Sequence, residues 1–210
     1  DNFVHEHIEL YSFKNIIDLM DEHGLRVFDV SVNDVNGGSM RAYICHKDTN
    51  FYKTSPLVET MLKEEQEFMS KFDNPFEAFK RRISVIKDIT KQFITNEVNS
   101  GKTVSVLGAS TKGNTTLQFF NLTNEQIKFA AEVNKDKFGL KTIGTEIPII
   151  SEEDAFKLNP DYFLVLPWHF IGSFKKIHAE YLDNGGKFIV PFPEFKIITN
   201  SWWYMGIETK

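Results

Sequence analysis

Three neighbouring residues near the front of the chain, His5-Glu6-His7, carry two imidazoles and a carboxylate. In an extended segment the histidines project to one side and Glu6 to the other. An imidazole that titrates near neutrality suits proton abstraction, and an adjacent carboxylate can orient the ring or raise its basicity. A metal is not assigned: a His-x-His pair needs at least one further ligand, and the spacing is not the helical H-E-x-x-H arrangement. The competing reading is a surface loop whose histidines only hydrogen-bond.

A second candidate is the stretch VLGASTKGNTT, residues 106–116, which follows an apolar run and opens a helical pattern. That context is what a phosphate cradle requires. Gly108 allows a tight turn, Gly113 allows close backbone approach, first-turn N–H groups offer partial positive charge to an anion, and Lys112 adds a point charge. Ser110 stands where the G-x-G-x-x-G pattern has its middle glycine, and this loop has no G-K-[S/T] triplet of the Walker kind. Glu132 ends the next predicted strand, nineteen residues after Gly113, where an acidic side chain accepts hydrogen bonds from a ribose diol in dinucleotide-binding units. Together these point to a nucleotide or another phosphorylated ligand; the alternative is a strand-to-helix turn beside a solvated acid. Trp168 and His169 follow the apolar run YFLVLP, at the carboxyl end of a predicted strand, where open α/β sheets place ligand contacts. His23, His46 and His178 read as surface residues.

The elements that must position these groups follow from periodicity. Ser12 can cap a helix with an apolar stripe from Phe13 to Met20, stopped at Gly24. Residues 25–32 and 40–45 read as a hairpin around Asn36-Gly37-Gly38. Residues 57–71 form a helical pattern, and Asn74-Pro75-Phe76-Glu77 starts a second helix running to about Asn99 with Phe79, Ile83, Ile86, Ile89 and Phe93 on one stripe. From residue 103 strands and helices alternate: strands at 103–109, 127–134, 147–150, 161–168 and 187–193, helices at 114–120, 152–158 and 170–184. Near-continuous apolar strands between helices indicate a mostly parallel sheet covered on both faces, a small doubly wound α/β domain. Trp202, Trp203 and Tyr204 make an aromatic tail.

The composition limits the rest. The 210 residues are 41% hydrophobic and 25% charged with a formal charge of −5, an ordinary globule without the basic face that nucleic acid or anionic membrane would need. Cys45 is the single cysteine, so neither an intrachain disulfide nor a cysteine zinc cluster can form, and a cytoplasmic setting is expected. No apolar run is long enough to span a membrane. The start at Asp1 leads us to expect an upstream part.

The ordered landmarks HEHIELYS, DEHGLRVFDV, NGGSMRAYI, VLGASTKGNTTLQF, IKFAAEVNKDKFG, GTEIPI, PDYFLVLPWHF and GGKFIVPFPE span nearly the whole chain. In that order they resemble the carboxyl-terminal half of the S-adenosylmethionine-dependent sugar C-methyltransferases, which methylate carbon 3 of nucleotide-linked 4-keto deoxysugars. The resemblance implies an α/β fold with a Rossmann-like, doubly wound, mostly parallel sheet. Residues 1–50 would be the tail of a class I methyltransferase domain, with its last helix and antiparallel hairpin, 51–100 a helical connector, and 101–210 the Rossmann-like carboxyl-terminal domain. It further implies a zinc-binding domain and most of the methyl-donor pocket upstream, with this piece inactive alone. His7 would be the base and Glu6 its partner or a substrate contact, with His5 beside them; Ser110, Lys112 and Asn114 would help to hold the substrate's nucleotide diphosphate. The family tyrosine falls on Val4, which removes one hydroxyl. Two other functions fit the same residues: a non-catalytic nucleotide or nucleotide-sugar binding module, and an O-methyltransferase on a related acceptor.

Overall fold

A computed structural model describes residues 6–200 of the chain. Residue contacts divide it into two compact units, His7–Lys80 and a second built from Arg81 onward. In the smaller unit, helix α1 (Phe13–Glu22) begins at Ser12, whose hydroxyl accepts the Asn15 N–H while the Asn15 side chain accepts the Ser12 N–H. Two more first-turn donors, the N–H groups of Phe13 and Lys14, reach the Glu65 carboxylate at 2.7 and 2.9 Å. Gly24, at φ 72°, turns the chain out of the helix. Strands β1 (Leu25–Asn33) and β2 (Ser39–His46) pair antiparallel, with the register shifting between Val27 and Asp29. Helix α2 (Pro56–Ser70), capped by Ser55, places Val58 on Phe13, Val27 and Val30 to make a small core.

Helix α3 (Pro75–Asn99) starts at Asn74, whose side-chain oxygen accepts from the Phe76 and Glu77 N–H groups. Ile86, Ile89, Phe93 and Ile94 join the core beneath the main sheet, whereas Phe79, at the start of the predicted stripe, is exposed. That sheet is built from β3 (Val104–Leu107), β4 (Ala130–Glu132), β5 (Ile149–Ser151), β6 (Tyr162–Val165), β7 (Lys187–Val190) and β8 (Lys196–Ile198). Their spatial order is β5-β4-β3-β6-β7-β8, all parallel except β8. This is the strand order of dinucleotide-binding sheets, and the order reverses between β3 and β6. Helix α4 (Thr111–Phe120) buries Leu117 and Phe120 with α3 on one face. Helices α5 (Glu152–Lys157), α6 (Ile171–Ile177) and α7 (Ala179–Asp183) cover Phe163, Val165 and Phe188 on the other. The mixed α/β architecture with a mostly parallel, doubly wound sheet thus agrees with the alternation in the sequence.

Several element limits differ from the sequence pattern. Helix α4 starts at Thr111 instead of Asn114, because Ser110 takes the cap. The predicted single helix 170–184 breaks at His178, which ends α6 and precedes α7. Strands of the main sheet are three or four residues each, and β8 is an added antiparallel edge. His178 is not a surface residue: its side chain is 10% exposed and its ring stacks on Phe156 at 3.9 Å.

Asp161 ties the amino ends of β3 and β6, accepting from the Thr103 N–H and hydroxyl at 2.8 and 2.9 Å and from Lys102 at 3.0 Å. Burial pushes its pKa up, but these donors outweigh it and hold the carboxyl at about 2. A depressed folded pKa stabilises above the unfolded value, near 4, and that contribution disappears as pH falls through the folded one. Asp161→Asn is expected to cost about 1 kcal/mol at pH 7, on the scale of a partly screened charged hydrogen bond. Thermal unfolding of both proteins across pH should show the difference closing only between pH 4 and about 2; a gap that persists at the acid end would reject the assignment.

Candidate functional site

The loops that leave β3 and β6 meet where the strand order reverses. Gly108 sits at φ 91°, and a Cβ built there would lie 2.8 Å from Pro167 Cγ. A side chain is therefore excluded twice, by backbone conformation and by contact. Gly113 meets the contact requirement alone: its virtual Cβ would lie 3.0 Å from Leu166 Cδ1 and 3.1 Å from the Gly108 carbonyl oxygen. The close approach that Gly113 permits is made by the protein's own backbone.

Ser110 and Asn114 brace this corner. The Ser110 hydroxyl accepts the Gly113 N–H at 3.1 Å. Asn114 donates from its side-chain amide to the Ser110 carbonyl and accepts the Ile143 N–H at 3.2 Å, tying α4 to the 140s loop. With Gly113 and Asn114 N–H groups taken by Ser110, those of Thr111 and Lys112 remain without a partner inside the helix. They point out of a ten-residue helix at its positive end.

Across from them a one-turn 3-10 segment, Trp168–Phe170, carries the other predicted contacts. The His169 ring lies 5.7 Å from Trp168 and 4.3 Å from Phe170, centroid to centroid. Its Nδ1 is buried with no hydrogen-bond partner among the described residues. Burial, and then the positive charge of Lys112, hold the imidazole pKa below its ordinary value. The ring is accordingly neutral at neutral pH, facing a cation that an incoming anion would neutralise.

Glu132, one-tenth exposed, accepts three hydrogen bonds from within the protein, which its position in the sequence did not suggest. One carboxylate oxygen accepts the Val133 and Asn134 N–H groups at 2.8 and 3.1 Å. The other accepts Lys137 Nζ at 3.0 Å, and the same ammonium donates to the Ala109 carbonyl at 3.0 Å. Burial raises the Glu132 pKa, but the Asn134 N–H, Lys137 and the Val133 N–H together bring it below the ordinary value. Beyond it Glu152 is raised by burial and by Glu132, and its Oε1 lies 3.5 Å from His178 Nε2, whose own pKa burial depresses. Lys137, Glu152 and His178 were not singled out by the sequence, because nothing in local spacing links them to the loop.

Gly108, Ser110, Lys112, Gly113, Asn114, Glu132, Trp168 and His169 therefore gather at the carboxyl ends of β3, β4 and β6. Glu6 and His7 are exposed, and His5 lies outside the described residues. Among the described residues no group of three or more His, Cys, Asp or Glu side chains could hold a metal ion, and no helix is long and apolar enough to cross a membrane.

Residues 34–193 match the family described as C-methyltransferase C-terminal domain. The chain belongs to that family. It is also 34% identical over 199 residues to the C-methyltransferase NovU of Streptomyces niveus, a match covering 95% of this chain and 47% of that protein. The chain thus spans about half the length of the curated relative it matches. Within this C-methyltransferase domain the family match covers the glycine loop, Glu132 and the Trp168-His169 turn together.

Gly108→Ala is expected to destabilise the domain by about 1–3 kcal/mol from left-handed strain alone, with the Pro167 contact adding to it. Gly139→Ala isolates the strain, since Gly139 has φ 79° with nothing within 4 Å of a virtual Cβ. Urea unfolding should rank Gly108→Ala clearly worse; equal losses would mean that the Pro167 contact yields freely.

Proposed function

We propose that the chain is the carboxyl-terminal portion of an S-adenosylmethionine-dependent methyltransferase acting on a nucleotide-activated sugar or a related polysaccharide precursor. The observation that carries the ligand half of this reading is the corner between β3 and β6, where the helix-end donors of α4 and Lys112 stand close enough to His169 for the lysine's charge to act on its ring. A diphosphate supplies the negative charge such a corner lacks. Lys112 and the Thr111 and Lys112 N–H groups hold it, His169 and Trp168 bound it on the β6 side, and Gly108, Ser110, Gly113 and Asn114 keep the loop in shape.

The chemical half rests on family membership and the tripeptide. His7 removes the proton from the carbon beside the sugar ketone, and Glu6, with His5 nearby in the chain, orients or tunes the imidazole. The resulting enolate carbon is the nucleophile. S-adenosylmethionine supplies an electrophilic methyl group in this reaction class. The main-sheet site does not suit that donor's ribose, because the one acidic strand end there, Glu132, already accepts three hydrogen bonds; we assign no donor pocket to the described residues.

The test uses the full-length protein and a nucleotide-linked 4-keto deoxysugar. His7→Gln should lower kcat by about 10²–10⁴-fold, the usual contribution of a positioned base, and abolish deuterium exchange from solvent at the carbon beside the ketone. Unchanged turnover and exchange would remove His7 from the mechanism. Loss of methyl transfer with exchange retained would assign it to a later step.

A further inference from the structure

We propose that Lys137 is a specificity-determining residue of the nucleotide site: by occupying Glu132, it makes the site indifferent to the 2′-hydroxyl of the bound nucleotide's sugar. The inference rests on the reading of the glycine loop as the nucleotide site and goes beyond it.

The argument is a count of lone pairs. An ionised carboxylate offers about four acceptor positions, two on each oxygen. Glu132 has used both on Oε1, for the Val133 and Asn134 N–H groups, and one on Oε2, for Lys137. A vicinal diol is gripped by two acceptor positions at once, and here only one is left. In dinucleotide-binding sheets the acid at this strand end is the group that reads the ribose diol. Here the acid has the right location and the wrong availability.

Lys137 is not an incidental surface cation. It stands five residues beyond Glu132, in a 3-10 turn (Lys135–Lys137) that starts at Asn134, whose side chain accepts the Asp136 N–H at 3.0 Å. The turn fixes the lysine's starting point. Its ammonium donates to the acid at the end of β4 and to the Ala109 carbonyl in the glycine loop, each at 3.0 Å. The Glu132 side chain is one-tenth exposed and the Lys137 side chain about a third, so replacing this partner by a hydroxyl pair from a ligand would break a charge-assisted bond to a carboxylate that water barely reaches. A diol does not outbid it, because neutral donors to a carboxylate are weaker than an ammonium that also answers its charge.

The consequence is a site that accepts ribose and 2′-deoxyribose nucleotides alike. Removing the lysine while retaining Glu132 frees a second acceptor position on Oε2, leaving two open on one oxygen, and restores a diol reader. Lys137→Arg keeps the cation and should keep the wild-type behaviour.

The test is calorimetric binding by the full-length protein of matched ribo- and 2′-deoxyribonucleoside diphosphates with adenine, guanine, cytosine and uracil bases. For whichever base binds, the wild type and Lys137→Arg should show a deoxy-to-ribo ratio of Kd near one. Lys137→Met should shift that ratio by about tenfold in favour of the ribonucleotide, one charged hydrogen bond's worth, and adding Glu132→Gln to it should abolish the shift. A general loosening of the fold would weaken both members of a pair equally and leave the ratio alone. The inference is overturned by a Lys137→Met protein that binds with an unshifted ratio, or that stays folded and binds nothing. A wild type that already prefers the ribonucleotide and loses that preference on Glu132→Gln also overturns it, and this last arm stands even where Lys137→Met fails to fold. Absence of all diphosphate binding by the wild type, with His7-dependent turnover intact, would instead remove the glycine-loop reading, and this inference with it.

Discussion

The organisation of the sheet unit depends on a steric contact, that of the Gly108 backbone with the Pro167 ring. Two chain segments leave adjacent parallel strands at the point where the winding reverses, and they approach so closely that a methyl group does not fit between them. Everything at the candidate site inherits its position from that approach. The cap of α4, Ser110, stands two residues beyond the contact on one side, and the Trp168–His169 turn begins directly beyond it on the other. Gly113, one turn into the helix, repeats the requirement by packing on Leu166 and the Gly108 carbonyl. The glycines that suggested ligand approach in the sequence are needed first by the protein itself.

The charged groups along the carboxyl ends of the strands are arranged so that few are both buried and ionised without compensation. Glu132 is ionised and answered by two backbone N–H groups and an ammonium. Glu152 and His178, which lack such donors, are each displaced towards the neutral form, the acid upward and the imidazole downward. His169 is displaced the same way beside Lys112. This follows from the expense of burying charge: a group either finds donors or gives up its charge. The amino end of α4, with Lys112 in its first turn, carries the positive end of the helix dipole.

Much of this was legible in the sequence, and the parts that were not share a cause. Helix starts at Ser12 and Asn74, the hairpin turn at Asn36-Gly37-Gly38, and the strand–helix alternation were legible because each depends on residues within four or five positions of one another. The glycine loop and the Trp168-His169 turn were legible as a pair because both follow apolar strands. Ser110 was read as a stand-in for a glycine, yet its hydroxyl is the cap that starts α4 three residues early. Asn114 was matched to ligand binding; its amide also joins Ser110 to Ile143, the latter twenty-nine residues away, a link no local pattern announces. His178 looked like a solvated helix residue because Phe156, the ring that stacks on it, sits on a different helix, α5. Partners that meet only through tertiary packing leave no periodic trace.

One feature of the smaller unit reaches beyond the site. The carboxylate that completes the opening turn of α1 comes from Glu65 in α2, with the whole β1–β2 hairpin between them in the chain. Neither helix is therefore a self-contained module. A chimera with its crossover anywhere in the hairpin would join an α1 whose front amides expect an acid to an α2 chosen by another parent, so recombination between distant relatives should tolerate junctions outside residues 12–65 better than within them.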